Sequence, residues 1–230
     1  MSFAFPPAPP PSVSIAGLTA HFPVRRIFCV GRNYAEHARE MGHDDREPPF
    51  FFSKPSDALV EHGATIPYPP ATADLHYEAE LVVALDKGGR DIAAADALAC
   101  IYGYACGNDL TRRDVQGAAK KMGRPWDMGK GFDRSAVVGP IHRVADVGHI
   151  DRGAIGLSVN GAVKQSGDIA DMIWSTPEII ACLSGLVALA PGDLILTGTP
   201  AGVGALSVGD TCVVSIAGLP DLATTIGPSA

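Results

Sequence analysis

Apolar residues along this chain fall in short runs broken by glycine, proline and asparagine, the pattern of many brief strands rather than long helices. Arg26 to Val30 predicts a strand that stops at Gly31, and Pro48 to Phe52 a second one halted by Pro55. His76 to Val83 alternates and then runs apolar, which places a strand over Glu78 to Leu85. Asp96 to Cys106 is apolar without a period that separates helix from strand. Ile155 to Val159 and Ala162 to Gln165 flank Asn160-Gly161, a pair suited to a type I′ hairpin turn. Asp193 to Leu196 and Thr211 to Ile216 complete the strands. Helical spacing is confined to three places. Asn33, with Glu36 three residues on, forms a capping box for a helix over about Tyr34 to Met41, ending near Gly42. Thr111 to Lys121 is the second, and Thr176-Pro177-Glu178 opens a third that runs to about Leu189. Short strands with few helices predict a β-rich α+β fold. Pro6, Pro7, Pro9, Pro10 and Pro11 give residues 1–20 the character of an extended arm, and residues 21–230 read as one domain, without internal repeat or linker.

Composition narrows the function classes. At 47% apolar and 19% charged, the 230 residues suffice for a sizeable core. A net charge of -7 without any basic run argues against nucleic acid as a partner. No apolar run approaches the ~18 residues of a membrane span, and Met1 to Pro11 lacks the layout of a signal peptide. Five cysteines without a CxxC pair argue against a zinc knuckle and a disulfide framework, and the expectation is a reducing, cytoplasmic setting. Cys29 and Cys212, in apolar runs, are expected in the core.

Glu78 and Glu80 carry the most chemical information. Two positions apart on a strand, they share a face, roughly 6–7 Å apart at Cβ. Neighbouring carboxylates on a buried strand repel each other and resist desolvation, and a hard cation with oxygen ligands would relieve both costs. The alternative is the solvated face of an edge strand. Asp109, in Gly107-Asn108-Asp109, is either a third oxygen ligand or a cap for the following helix. His76 lies on the same face and is a ligand or a supporting residue. His37 and Glu40, three apart on a helix, pair an imidazole with an orienting carboxylate, as a general base requires; an incidental surface pair is the alternative. Lys130, between Gly129 and Gly131, either stabilises a developing oxyanion or is a solvated loop lysine. The run Thr197 to Gly204 offers backbone N–H groups to a carboxylate, but has neither a phosphate-loop nor a dinucleotide spacing.

Ile27 to Gly42, Phe52-Ser-Lys-Pro-Ser56, His76 to Leu81, Gly107 to Gln116, Lys130 to Asp133, Asn160-Gly161 and Thr197 to Gly204, in this order, resemble the fumarylacetoacetate hydrolase family. The resemblance implies a mixed β-sandwich roll, a homodimer, and Mg²⁺ or Mn²⁺ held by Glu78, Glu80 and Asp109. It implies that His37 and Glu40 activate water, that Lys130 and Gln116 face the reacting carbonyl, and that Thr199 holds a substrate carboxylate. Arg32 and Arg113 are candidates for further substrate anions. Without a separate N-terminal domain, the chain is similar to the compact bacterial acylpyruvate hydrolases, and most of all to those cleaving fumarylpyruvate in the gentisate branch of aromatic degradation. Oxaloacetate decarboxylation, isomerisation of unsaturated oxo acids, or metal-dependent binding of organic acids without catalysis are the alternatives on this scaffold.

Overall fold

The structure is a computed structural model that describes residues 2–34 and 47–229. Its centre is an eight-stranded sheet. Phe50–Lys54, Arg26–Gly31, Asp193–Leu196, Ala79–Leu85, Ile101–Asp109, Ala136–Val138 and Leu59–Glu61 follow one another across it, with His142–Arg143 beside Ile101–Asp109. Ala79–Leu85 is buried at every position, as its unbroken apolar run requires of a central strand. Leu81, Val83 and Leu85 point into the larger core, which they share with Ile155, Leu157, Val214 and Ile226 of a five-stranded sheet. Val82 and Ala84 point the other way, into a smaller core with Val13, Ile27 and Leu196. The β-rich α+β expectation holds, and the two sheets sharing one core are the predicted sandwich.

Local chemistry explains the elements that match the sequence reading. The hairpin Ala154–Val159 and Ala162–Asp168 turns at Asn160 (φ 50°) and Gly161 (φ 81°), the left-handed pair that a type I′ turn needs. The helix Thr176–Leu186 is closed by a capping box between Ser175 and Glu178 and stops before the expected Leu189. Leu189 is instead held in a β-bridge to Gly89, and that pairing takes the chain out of helix at Val187. Cys29 and Cys212 are core residues, fully buried.

Three expectations need correction. The carboxylate strand is interrupted: Leu75–Tyr77 belongs to a three-stranded sheet and Ala79–Leu85 to the central one, so the chain changes sheets at Glu78. The Asn108 side chain accepts the Glu78 N–H at 3.0 Å and replaces the ladder bond lost at the break. Thr111–Arg112 is strand, paired with Leu75 and His76, and the helix begins only at Arg113 (Arg113–Lys121). The proposed arm over residues 1–20 is partly folded: Ser12–Ser14 pairs with His21–Pro23, and Val13 and Ile15 are buried in the smaller core. The Asn33 side chain donates to the carbonyls of Trp174 and Thr197 and accepts the Trp174 N–H, while Glu36, its expected capping-box partner, lies outside the described residues. The remainder of the helix expected over Tyr34 to Met41 lies outside the described residues. Among the described residues, no helix is long and apolar enough to cross a membrane.

Candidate active site

The sheet change at Glu78 builds the site. Glu78 sits at the junction, Glu80 one register further on the central strand, and Asp109 at the end of the neighbouring strand, where its N–H donates to the Glu78 carbonyl at 2.9 Å. All three are buried, and one carboxylate oxygen of each lies within 4.8 Å of the others. The solvated-edge alternative for the glutamates falls on this burial, and the helix-cap alternative for Asp109 falls because the helix starts at Arg113 with Arg112 at its N-cap.

Cations hold the cluster. Lys130, on the short helix Asp127–Lys130, is 2% exposed and donates from Nζ to Glu78 Oε2 and Asp109 Oδ2, each at 2.7 Å. It is therefore not a solvated loop lysine. Arg113 donates to Glu78 Oε1 through Nη2, to Gln116 Oε1 through Nη1 at 2.7 Å, and to His76 Nδ1 through Nε at 3.3 Å. Lys54, a residue of the Phe-Ser-Lys-Pro motif that sequence reasoning left without a role, is fully enclosed. Its Nζ lies 2.7 Å from Asp109 Oδ1 and donates to the carbonyls of Leu110 and Lys130. A lysine that ends a strand of three phenylalanines, before a proline, was the available signal.

Electrostatics divide the acids. Burial disfavours the charge on Glu80, and Asp109 and Glu78 add repulsion, so its pKa is pushed well above the usual carboxylate range. The N–H of Gly198 opposes this by donating to Glu80 Oε2 at 2.7 Å. That approach needs glycine, since Gly198 has φ 101° and a Cβ there would stand 2.7 Å from the Asn33 Cβ. Burial acts on Glu78 in the same sense, but Lys130 and Arg113 outweigh it and hold its pKa below the usual range. Burial lowers the Lys130 pKa, and Asp109 and Glu78 more than reverse that, so its ammonium is kept charged.

These residues fit a hard divalent cation. The donor set is three carboxylates, all oxygen, and Asp109 Oδ1 is buried without a hydrogen bond, because the Lys54 contact is a charge pair without hydrogen-bond alignment. Two of the three acids are tied to one lysine, whose charge is the stand-in for part of the charge a cation would bring.

A small cleft opens onto the cluster, and Arg32, Gln116, Thr199, Lys120 and Trp126 line it together with Arg113 and Lys130. The Thr199 hydroxyl accepts from Gln165 Nε2 at 2.8 Å, and Gln165 Oε1 in turn accepts the Ala79 N–H, so the Thr199 proton is free for the cleft. Gln165 and Lys120 were not singled out in the sequence. Gln165 lies in the predicted hairpin, where a buried amide carries no local signal. Eight of the sequence candidates thus gather at one place: Arg32, Glu78, Glu80, Asp109, Arg113, Gln116, Lys130 and Thr199. His37 and Glu40 lie outside the described residues.

A mixed β roll that carries a buried three-carboxylate cluster at the base of a cationic cleft is the class of scaffold seen here. The chain belongs to the fumarylacetoacetate hydrolase family, whose description "Fumarylacetoacetate (FAA) hydrolase C-terminal" matches residues 26–227. It is 46% identical over 183 residues to the fumarylpyruvate hydrolase of Ralstonia sp, covering 80% of this chain and 95% of that one. It is 41% identical over 198 residues to the mitochondrial oxaloacetate tautomerase of Homo sapiens, covering 85% and 88%. The crystal structure of fumarylpyruvate hydrolase from Pseudomonas aeruginosa in complex with Mn²⁺ and pyruvate superposes with a TM-score of 0.96 at 49% identity, over 99% of this chain and all of the other.

Proposed function

We propose that this protein is a metal-dependent acylpyruvate hydrolase that cleaves fumarylpyruvate to fumarate and pyruvate, in the gentisate branch of aromatic degradation. The observation that carries the reading is the convergence of Glu78, Glu80 and Asp109 within 4.8 Å, at the base of a cleft with cationic walls. Glu78, Glu80 and Asp109 would hold Mg²⁺ or Mn²⁺, which would supply Lewis acidity toward a 2-oxo acid.

Charge balance supports an anionic substrate. With Glu80 ionised, as cation binding requires, the three carboxylates balance Lys54, Lys130 and Arg113, which pair with Asp109 and Glu78. A divalent cation adds two positive charges in a poorly solvated place, and a substrate with two negative charges restores neutrality. Thr199, its proton free, holds the substrate's 1-carboxylate. Lys130 and Gln116 face the C4 carbonyl; each donor so placed is worth about 3–4 kcal/mol on the oxyanion. His37, oriented by Glu40, takes a proton from water, and the resulting hydroxide adds to C4. The C3–C4 bond then breaks, its electron pair passes to C3 as pyruvate enolate, and protonation of C3 gives pyruvate. Free thiols at all five cysteines suit a cytoplasmic enzyme. The assembly implied by the family resemblance is a homodimer.

The test incubates purified protein with Mn²⁺ or Mg²⁺ and fumarylpyruvate. Equimolar pyruvate and fumarate are expected, and exhaustive chelation should stop their release. Absence of pyruvate overturns the reading. Oxaloacetate run in parallel tests the decarboxylase alternative: faster release of pyruvate from oxaloacetate than from fumarylpyruvate would favour it.

The cleft also carries Arg32 and Lys120, which pair with no acid among the described residues. Arg32 Nη1 is buried without a hydrogen-bond partner, its guanidinium stacks on Phe50 at 4.8 Å, and its backbone is held at φ 56°. Lys120, one helical turn beyond Gln116, stands at the rim. Both are suited to the distal carboxylate of a fumaryl group. Lys120→Gln is expected to raise KM for fumarylpyruvate by about tenfold, the lower end for a charged hydrogen bond at an exposed site. KM for acetylpyruvate, which lacks that carboxylate, should change less than about twofold. Equal shifts for the two substrates would remove Lys120 from recognition.

A further inference from the structure

Arg113 has its donors on three sides engaged by other side chains, and one of its partners has no place in the mechanism above. Its Nε–H donates to His76 Nδ1 at 3.3 Å. The other ring nitrogen of His76, Nε2, lies 2.9 Å from Asp74 Oδ1. Arginine is only a donor and a carboxylate only an acceptor, so a single tautomer satisfies both contacts: Nε2 carries the proton and gives it to Asp74, while the Nδ1 lone pair faces Arg113. Backbone and helix reinforce the arrangement. The Arg113 N–H donates to the Asp74 carbonyl at 2.8 Å, and Thr111–Arg112 pairs with His76 and Leu75. Asp114, the next residue on the helix, accepts from Thr72 Oγ1 at 2.5 Å and from the Ala73 N–H at 3.0 Å. The loop before the acid cluster is therefore clasped to the start of the helix Arg113–Lys121, with the His76 ring between them.

The consequence appears at Gln116. Its Oε1 accepts from Arg113 Nη1 at 2.7 Å. Because a guanidinium cannot accept, this contact decides which end of the amide faces Arg113. Oxygen faces the arginine, and the NH₂ group is left for the cleft that Gln116 lines. A glutamine without this partner would present oxygen and NH₂ to the cleft in turn, and oxygen repels a developing oxyanion.

We propose that Asp74 and His76 are a positioning pair which, through Arg113, fixes the Gln116 amide as a hydrogen-bond donor toward the reacting carbonyl. This deepens the proposed function and rests on its placement of Gln116. His76 acts two residues from the chemistry, through Arg113 and then Gln116, and touches no reacting atom.

The test compares His76→Leu, which fills the space without an acceptor, with His76→Asn, whose oxygen can replace Nδ1. In the holoenzyme with Mn²⁺ and fumarylpyruvate, His76→Leu is expected to lower kcat by about 10–100-fold, the usual range for a supporting partner of a metal-site residue, with KM within about threefold. His76→Asn should recover most of the loss. In a Gln116→Ala background the His76→Leu effect should nearly vanish, whereas damage to the fold would lower kcat in both backgrounds. An equal loss in the Gln116→Ala background, or His76→Asn no better than His76→Leu, overturns the proposal. A readout without substrate keeps the two readings separate: the Arg113 Nε–H resonance should exchange slowly with water in the parent and in His76→Asn, and rapidly in His76→Leu. If the parent cleaves no acylpyruvate, the proposed function fails, while this exchange pattern still decides whether His76 holds Arg113. Unchanged exchange in His76→Leu overturns the positioning pair by itself.

Discussion

Glu80→Gln is expected to lower kcat/KM for fumarylpyruvate by at least about 10³, a loss of ~4 kcal/mol of transition-state stabilisation, while the fold survives. Glutamine is chosen because its carbonyl can still accept the Gly198 N–H that now bonds Glu80 Oε2, so only the charge is removed. The cluster would then offer two anions where a divalent cation needs three, and Mn²⁺ binding followed by calorimetry should weaken with it. The pH dependence carries a second signature. Burial first, then Asp109 and Glu78, raise the Glu80 pKa, so a proton competes with the cation at this residue. Cation affinity in the parent should therefore rise as pH increases through the Glu80 titration, and this rise should be shallower in Glu80→Gln. Full turnover in Glu80→Gln would mean that the three acids do not act as one site.

Lys54→Met has the second largest expected effect, and it acts first on stability. Lys54 is the nearest cation to Asp109 Oδ1, and both side chains are fully enclosed. Without Lys54, Asp109 Oδ1 loses its partner and Lys130, already shared with Glu78, is the cation left against Asp109, at a cost of about 3–5 kcal/mol. For a chain of this size that is a fall in melting temperature of roughly 6–20 °C without metal. Methionine keeps the stem's packing, so the loss reports the charge and not a cavity. Mn²⁺ in excess should return part of the stability, because a ligand that binds only the folded state stabilises it by mass action. A melting temperature within about 2 °C of the parent would show that Lys54 does not compensate Asp109.

The strands Asp193–Leu196 and Thr211–Ile216 were legible to the residue, and the Asn160-Gly161 hairpin nearly so. In each, the periodicity and turn chemistry that identify the element are local, and tertiary packing does not oppose them. The acids were legible for the opposite reason: charge on a strand otherwise apolar conflicts with burial, and such a conflict marks a site. The sheet change at Glu78 was not legible, because it depends on Asn108, thirty residues away, supplying the missing ladder bond. Lys54 escaped notice because its partner Asp109 is fifty-five residues distant and nothing local to the motif indicates burial.

By itself, then, the order of residues determined a strand-rich fold and the identity of the acids, since hydrophobic period and the cost of burying charge are written in neighbouring positions. Only the tertiary structure decided that Lys54, Lys130 and Arg113 neutralise those acids, that Glu80 keeps its proton more tightly than Glu78, and which end of the Gln116 amide meets the cleft. Those outcomes depend on distances of a few ångströms between residues far apart in the chain, where low dielectric makes each such distance count.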